Sequence, residues 1–222
     1  DVGGDDMLNY GFATLWRPTD NFDIKLHYEK LNDEGDQGAY VNLNQASELT
    51  CLVYQACAAT STDGPDRNSG DRTNFSDNQY DTFIVTSNLE LGDYRFTYIG
   101  TSRDMDEDNN QHFDGSAAPL LSMRFFNDWD QTSHELRVAS SIGDNFDFIA
   151  GLYYWEVDYE QRWDVGDLHY TLDLIGALTG VPGGLGLTPT TLSSNGQAQK
   201  TESKAAFFQA DWRFADKWTF TF

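Results

Sequence analysis

Residues 207–222 read FFQADWRFADKWTFTF, and the spacing of their aromatic residues decides the fold class. Aromatic or apolar residues occupy alternate positions from Phe208 to Phe214 and again from Trp218 to Phe222, and an Ala-Asp-Lys turn joins the two runs. A two-residue period is typical of a β-strand with one apolar face, because successive side chains point to opposite sides. The stretch therefore predicts a β-hairpin whose apolar residues share one face.

The same period recurs along the chain and predicts eight strands. Most of them have about ten residues, the length with which a tilted strand crosses a bilayer. In residues 22–31, for example, Phe22, Ile24 and Leu26 alternate with charged side chains. The other strands are predicted in LNYGFATLWR (8–17), TFIVTSNLEL (82–91), YRFTYIGTSR (94–103), SHELRVASSI (133–142), FDFIAGLYYWEVDYEQRW (146–163) and the terminal hairpin.

The connections between these strands alternate between short and long. The turns PTDN, GD, GDN and ADK follow the odd-numbered strands, whereas long polar stretches at 33–78, 104–130 and 164–201 follow the others. Bacterial outer-membrane barrels have tight periplasmic turns and long extracellular loops. The pattern therefore predicts an all-β, antiparallel, up-and-down transmembrane barrel in the cell outer membrane. Within the third stretch, LDLIGALTGVPGGLGLTP favours a short helix before its glycines or an apolar patch folded inward.

Aromatic residues near the strand ends are predicted to form two girdles at the membrane interfaces, where Tyr and Trp rings are favoured. Beside the short turns lie Trp16, Phe22, Tyr94, Phe146, Phe214 and Trp218; near the long loops lie Tyr28, Tyr80, Trp155 and Tyr159.

The charge balance is strongly acidic, with 36 Asp and Glu against 14 Lys and Arg and a net charge of −22. Nucleic-acid binding requires a cationic surface, so we predict no nucleic-acid partner. Cys51 and Cys57 predict a small disulfide loop formed in an oxidising compartment, with two free, buried thiols as the alternative. Residues 1–10 have neither the basic nor the apolar region of a signal peptide.

If the short turns are periplasmic, the eighth strand runs outward and has too few residues to span the bilayer. We therefore expect residues 1–222 to be an internal piece of a larger barrel domain, without its plug and signal peptide.

At this point the residues resemble a known family. YGFATLWRPTDNFDIKLHYEK, SHELRVASSIGDNFDFIAGLYYWEVDYEQRW and QKTESKAAFFQADWRFADKWTFTF are similar to barrel segments of TonB-dependent outer-membrane receptors. The resemblance implies a barrel of about 22 strands that an N-terminal plug fills. It also implies uptake of a nutrient complex such as a ferric siderophore, with energy from the TonB complex acting through the missing N-terminal region.

The candidate functional residues are polar side chains predicted to line the lumen or contact the plug, and four aromatic residues at the base of a loop. For the four aromatic residues, a place in a membrane girdle is predicted in preference to stacking on a ligand. The polar candidates are Asp23, Lys25, His27, Glu29, Arg95, Glu135, Arg137, Gln209, Asp211 and Arg213; the aromatic ones are Tyr153, Trp155, Tyr159 and Trp163.

The sequence contains no complete catalytic or metal-binding motif of a known kind. In DMDEDNNQHFDG, Asp104, Asp106 and Asp108 have the spacing of an EF-hand, but Asn109 and Gly115 replace the required glycine and glutamate, which favours a solvated extracellular loop. We predict no metal, no cofactor and no enzymatic activity. Two alternatives to the receptor are a porin-like barrel and a soluble β-sandwich that binds carbohydrate through its aromatic residues.

Overall fold

A computed structural model of the chain describes residues 4–36, 38, 74–113, 121–167, 172–173, 175–176, 178–180, 193–214 and 217–222. Within these residues, eight antiparallel strands form one sheet in which each strand pairs with its neighbours in sequence. The predicted all-β, up-and-down architecture is therefore confirmed. The strands are β1 (Asp5–Thr19), β2 (Phe22–Gly35), β3 (Phe75–Leu91), β4 (Tyr94–His112), β5 (Ser122–Ile142), β6 (Phe146–Gly166), β7 (Ser193–Phe214) and β8 (Trp218–Thr221).

The short turns lie where the sequence predicts them. Gly92 and Gly143 begin two of the turns with φ angles of 61° and 59°, a conformation that a residue with a Cβ rarely adopts. The first turn is tighter than PTDN, because β1 continues to Thr19 after a register shift that begins at Trp16. Asn21 fastens this turn to β3 by donating from its amide nitrogen to the carbonyl of Glu90 at 3.0 Å.

The strands are longer than predicted, with β1 to β7 having between 14 and 22 residues. The prediction of a long polar loop over 104–130 is wrong, because β4 continues to His112 and β5 already begins at Ser122. Their pairing is unbroken from Tyr94↔Ser140 to His112↔Ser122. Backbone hydrogen bonds between strands do not require an apolar face. The polar residues of this stretch therefore do not mark the ends of β4 and β5.

The pairing register sorts the side chains onto two faces. One face carries the even-numbered residues of β2, of β4 to β8 and of β1 up to Trp16, together with the odd-numbered residues of β3. We call this the outer face. The opposite face is the inner face. Along β5, the outer residues from Asp128 to Leu136 are exposed, whereas the inner ones from Trp129 to Arg137 are half-buried. In β5 the inner face is thus the more covered one.

Large apolar side chains stand exposed on the outer face of β1 and of every strand from β3 to β8. Phe12 is 60% exposed, Leu136 50%, Leu152 61% and Phe208 55%. A two-sheet sandwich would bury these residues between its layers. The sandwich alternative is therefore wrong for the described strands, which form one sheet.

Between β6 and β7, residues 172–173, 175–176 and 178 are helical, and the Thr179 amide donates to the Ile175 carbonyl at 3.0 Å. This agrees with a short helix before the glycines. Among the described residues, no helix has the length and the apolar character that crossing a bilayer requires.

Gly151 on the inner face of β6 lies beneath the ring of Phe207 on β7. A Cβ at this position would lie 2.3 Å from the Phe207 ring and 2.9 Å from the Leu136 carbonyl oxygen. We expect Gly151→Ala to lower the free energy of unfolding by about 1–3 kcal/mol, as overpacking usually does. Urea unfolding of the protein in lipid vesicles measures the change.

Gly4→Ala is the matched control, since no atom lies within 4 Å of its added Cβ. In the background of Phe207→Ala, the cost of Gly151→Ala should shrink, because the ring that blocks the methyl group is gone. Equal costs in the two backgrounds would contradict the proposed contact.

Candidate functional site

The outer face changes from apolar to acidic along the strands. Near the short turns this face carries the exposed apolar side chains. Farther from the short turns, the central strands carry carboxylates on the same face. These carboxylates occupy two adjacent rows across β3 to β6, which we call the carboxylate rungs. One rung is Asp81, Asp104, Asp130 and Asp158, and the other is Asp106, Asp128 and Glu160.

Like charges face one another in the middle of these rungs. Asp104 lies directly opposite Asp130, and a hydrogen bond to Asp130, burial and nearby carboxylates raise the pKa of Asp104 to about 6. Burial and the charge of Asp106 raise the pKa of Asp128. Opposed like charges destabilise a strand pair, so the centre of the rungs is a site of electrostatic repulsion.

A lysine lies beside the carboxylate at each end of the first rung. The Lys30 ammonium lies 2.8 Å from the Asp81 carboxylate, and the Lys200 ammonium lies 3.1 Å from Asp158 and 2.6 Å from Glu156. The net negative charge of the rungs is therefore concentrated on β4 and β5.

The metal motif that the sequence partly matches does not form a binding loop. Asp104, Asp106 and Asp108 lie in β4 at alternate positions, so the prediction that they belong to an extracellular loop is wrong. A ladder fixes them in a row, whereas an EF-hand loop wraps its ligands around an ion. The described part of the chain contains no group of three or more His, Cys, Asp or Glu residues arranged to hold a metal. Cys51 and Cys57 lie outside the described residues.

The polar residues predicted to line a lumen share the inner face, where the register places all ten of them. Arg137 forms a two-pronged ion pair with Glu135, and the Arg213 guanidinium lies 2.5 Å from the Asp147 carboxylate. Lys25 and Arg95 form no ion pair with the described residues. A role in lining a lumen or contacting a plug remains a prediction for the ten residues, which are Asp23, Lys25, His27, Glu29, Arg95, Glu135, Arg137, Gln209, Asp211 and Arg213.

The four loop-base aromatic residues also lie on the inner face of β6: Tyr153, Trp155, Tyr159 and Trp163. Tyr159 packs edge-on against Trp129 of β5, with ring centres 5.6 Å apart.

The predicted membrane girdle near the long loops is wrong for five residues, because the register places them on the inner face: Tyr80, Tyr153, Trp155, Tyr159 and Trp163. Nearness to a loop carries no information about the face. Tyr28 does lie on the outer face. The outer face also carries His134 stacked between Tyr98 and Tyr154, with centroid distances of 6.1 and 6.3 Å.

A cavity of about 430 Å³ lies on the inner face, behind the carboxylate rungs. We call it the inner-wall pocket. Two neighbouring rows across β2 to β5 line it. The polar row is Glu29, Thr82, Arg103 and Gln131, and the apolar row is Leu31, Tyr80, Met105 and Trp129.

Sequence reasoning missed three residues of this pocket, Arg103, Met105 and Trp129. Met105 and Trp129 lie within residues 104–130, which were predicted to form a loop, and Arg103 directly precedes this stretch. The signal was nevertheless present, because Arg103 and Met105 alternate with acidic residues, as Trp129 does. An alternation of acidic with other residues defines a strand as well as an alternation of apolar with polar ones.

The comparisons with known proteins agree with this geometry. No protein-family model and no curated protein matches the chain. Among solved structures, the ferric yersiniabactin uptake receptor FyuA from Yersinia pestis superimposes with a TM-score of 0.58 at 13% identity over 99% of this chain. The ferric citrate transporter FecA in its unliganded form gives 0.56 at 8% identity over 100% of this chain.

The chain has the fold of part of a TonB-dependent receptor barrel. The resemblance inferred from the sequence is thus confirmed at the level of the fold. The chain spans 37% of FyuA and 36% of FecA. In barrels of this kind the apolar outer face meets lipid and the polar face lines the interior.

The carboxylate rungs predict a dependence of stability on pH. Because the pKa of Asp104 is raised in the folded state, folding strengthens proton binding, and the free energy of unfolding falls as the pH rises from 3.8 to about 6. Asp104→Asn should raise this free energy by about 0.5 kcal/mol at pH 7.5 and flatten its pH dependence. Urea unfolding at pH 5 and pH 7.5 measures both effects.

Asp158→Asn serves as the comparison, because the Lys200 ammonium lies 3.1 Å from this carboxylate, whereas Asp104 faces another carboxylate. It should leave stability at pH 7.5 unchanged or lower it. A loss of stability in Asp104→Asn at pH 7.5 would show that the opposed carboxylates do not repel one another.

Proposed function

We propose that the chain forms part of the wall of an outer-membrane receptor that takes up a nutrient complex such as a ferric siderophore. The cargo binds noncovalently, and the TonB complex supplies energy through an N-terminal region and its plug. The observation that carries this proposal is the exposed apolar band on the outer face of a sheet with a receptor-barrel fold.

The band fits a lipid environment and does not fit water. Soluble proteins rarely expose a contiguous apolar patch larger than a few hundred Å², whereas here the band extends over β1 and β3 to β8. Each exposed Leu or Phe gains about 1.5–3 kcal/mol when it is transferred from water to an apolar phase. Contact with hydrocarbon chains therefore stabilises the observed arrangement.

The carboxylate rungs fit the zone beyond the hydrocarbon. Ionised carboxylates are costly within a bilayer. In β3 to β6 the rungs lie beyond the exposed apolar side chains, whereas on β1 the exposed Leu8 and Tyr10 lie in line with the rungs. We infer that the strands continue past this boundary as a water-exposed extension and that the inner-wall pocket lies on the extracellular side of the band.

The two structural neighbours support the kind of cargo. FyuA takes up ferric yersiniabactin and FecA transports ferric citrate, so each carries a ferric complex. Both are transport proteins, which supports a role in uptake without catalysis. A porin-like barrel shares the two-residue alternation, but the fold similarity to two uptake receptors favours a receptor.

Leu152→Arg tests the membrane placement, because Leu152 lies on the outer face within the apolar band. We expect a loss of about 2–4 kcal/mol in the free energy of unfolding in lipid vesicles, the usual cost of an arginine facing the bilayer midplane. The measurement is urea unfolding of the protein in those vesicles.

Glu160→Arg is the matched control, since it lies on the same face of the same strand but within the carboxylate rungs. Its effect should stay within about 1 kcal/mol, as near a bilayer interface. Equal losses in the two variants would contradict a lipid-facing band that ends below the rungs.

Disruption of the gene that encodes the chain tests the uptake function. Iron-starved cells should lose energy-dependent accumulation of a radiolabelled ferric chelate, measured with a panel of ferric siderophores and ferric citrate. A protonophore should abolish the same uptake in intact cells, because TonB draws on the inner-membrane energy. Uptake that depends on the gene but persists with the protonophore would instead indicate a passive porin.

A further inference from the structure

We propose that the inner-wall pocket is a binding subsite for an aryl carboxylate group, with Arg103 binding the carboxylate and the apolar row covering the ring. The inference rests on the proposed function, since it assigns a chemical class to part of the cargo. The subsite lies on β2 to β5, and all of its groups belong to this chain.

The arrangement of the pocket matches an amphipathic planar group. Its two rows lie side by side, one polar and one apolar, so a ligand that contacts both must be charged or polar on one side and apolar on the other. A volume of about 430 Å³ is at the lower end of the range for ligand sites. It accommodates one or two aromatic rings with a substituent.

Arg103 supplies an uncommitted positive charge. Within the described residues its guanidinium forms no ion pair and no hydrogen bond, although the chain carries 36 acidic residues. Its sequence neighbour Asp104 points to the opposite face, and Glu29 at the far end of the polar row accepts a hydrogen bond from Asn9 at 2.9 Å. A planar guanidinium binds a carboxylate through two parallel hydrogen bonds, so this charge selects an anion.

The aromatic side of the pocket is held in place by contacts outside it. The Tyr80 hydroxyl donates to Glu107 at 2.8 Å, and Asn127 donates to the other oxygen of the same carboxylate at 2.8 Å. Tyr159 supports Trp129 through the edge contact of their rings. Fixed aromatic surfaces bind with a smaller loss of conformational entropy, and Met105 between them adapts to the shape of the ring.

The test compares two probes of nearly equal shape, 1-naphthoate and the neutral 1-naphthalenemethanol. The full chain in lipid nanodiscs is titrated with each probe at pH 7.5 by isothermal titration calorimetry. We expect 1-naphthoate to bind about tenfold more tightly, as a charge-assisted hydrogen-bonded pair provides. Arg103→Gln should abolish this preference and leave the affinity for the neutral probe unchanged, and Trp129→Leu should weaken both probes.

Two further variants make the test specific. Lys25→Gln removes another inner-face cation without an ion pair to the described residues, outside the pocket, and should leave the preference intact. Arg103→Lys keeps the charge without the planar fork, so a reduced preference should remain. Equal affinities of the two probes, no binding of either, or a preference that survives Arg103→Gln would each overturn the proposal.

The outcome is separable from that of the uptake experiment. Loss of the preference in Arg103→Gln supports the subsite even if disruption of the gene leaves ferric uptake unchanged. Conversely, gene-dependent uptake combined with equal binding of the two probes supports the receptor and rejects the subsite.

Discussion

The unbroken antiparallel ladder of backbone hydrogen bonds is the constraint on which the rest of the structure depends. From β3 to β7 its pairing continues without a shift, over as many as 21 residue pairs between β5 and β6. A ladder of this kind determines the face of every side chain, because the alternation has a period of two. The apolar band, the carboxylate rungs and the inner-wall pocket are all sorted by that single register.

The two faces exchange character along the strands. Near the short turns, apolar residues lie outside and polar residues lie inside, as the bilayer requires. Further along, carboxylates lie outside and aromatic residues such as Tyr80, Trp129 and Tyr159 lie inside. The proposed membrane placement explains this exchange, because water would replace lipid beyond the boundary. Under the proposed function, the same strands form a membrane wall in one part and the proposed subsite in the other.

The sequence predicted the part of the fold in which lipid and lumen impose opposite polarities. Residues 22–31 and 146–155 alternate clearly, so the strands, their order and the inner face of residues such as Arg137 and Asp211 were accessible. The strands over residues 104–112 and 122–132 were not accessible, because the acidic side chains on their outer face imitate a loop. The pocket was missed for the same reason, since Met105 and Trp129 lie in those segments. The alternation of acidic with other residues in these segments was the sequence signal that the strands continue.

The opposite faces of β4 and β5 are separated by only one position in sequence, and this restricts how the two strands can change length. If β4 keeps its register from Tyr94, removing one residue before Arg103 would turn Asp104 towards the interior and carry Arg103 to the exterior. Carboxylates would then stand among aromatic rings, and the pocket would lose its guanidinium. Insertions and deletions in these strands are therefore compatible with both surfaces only when they come in pairs, whereas the connecting segments are free of this parity rule. Diversification of this wall is expected to proceed by substitution within the strands and by length variation outside them.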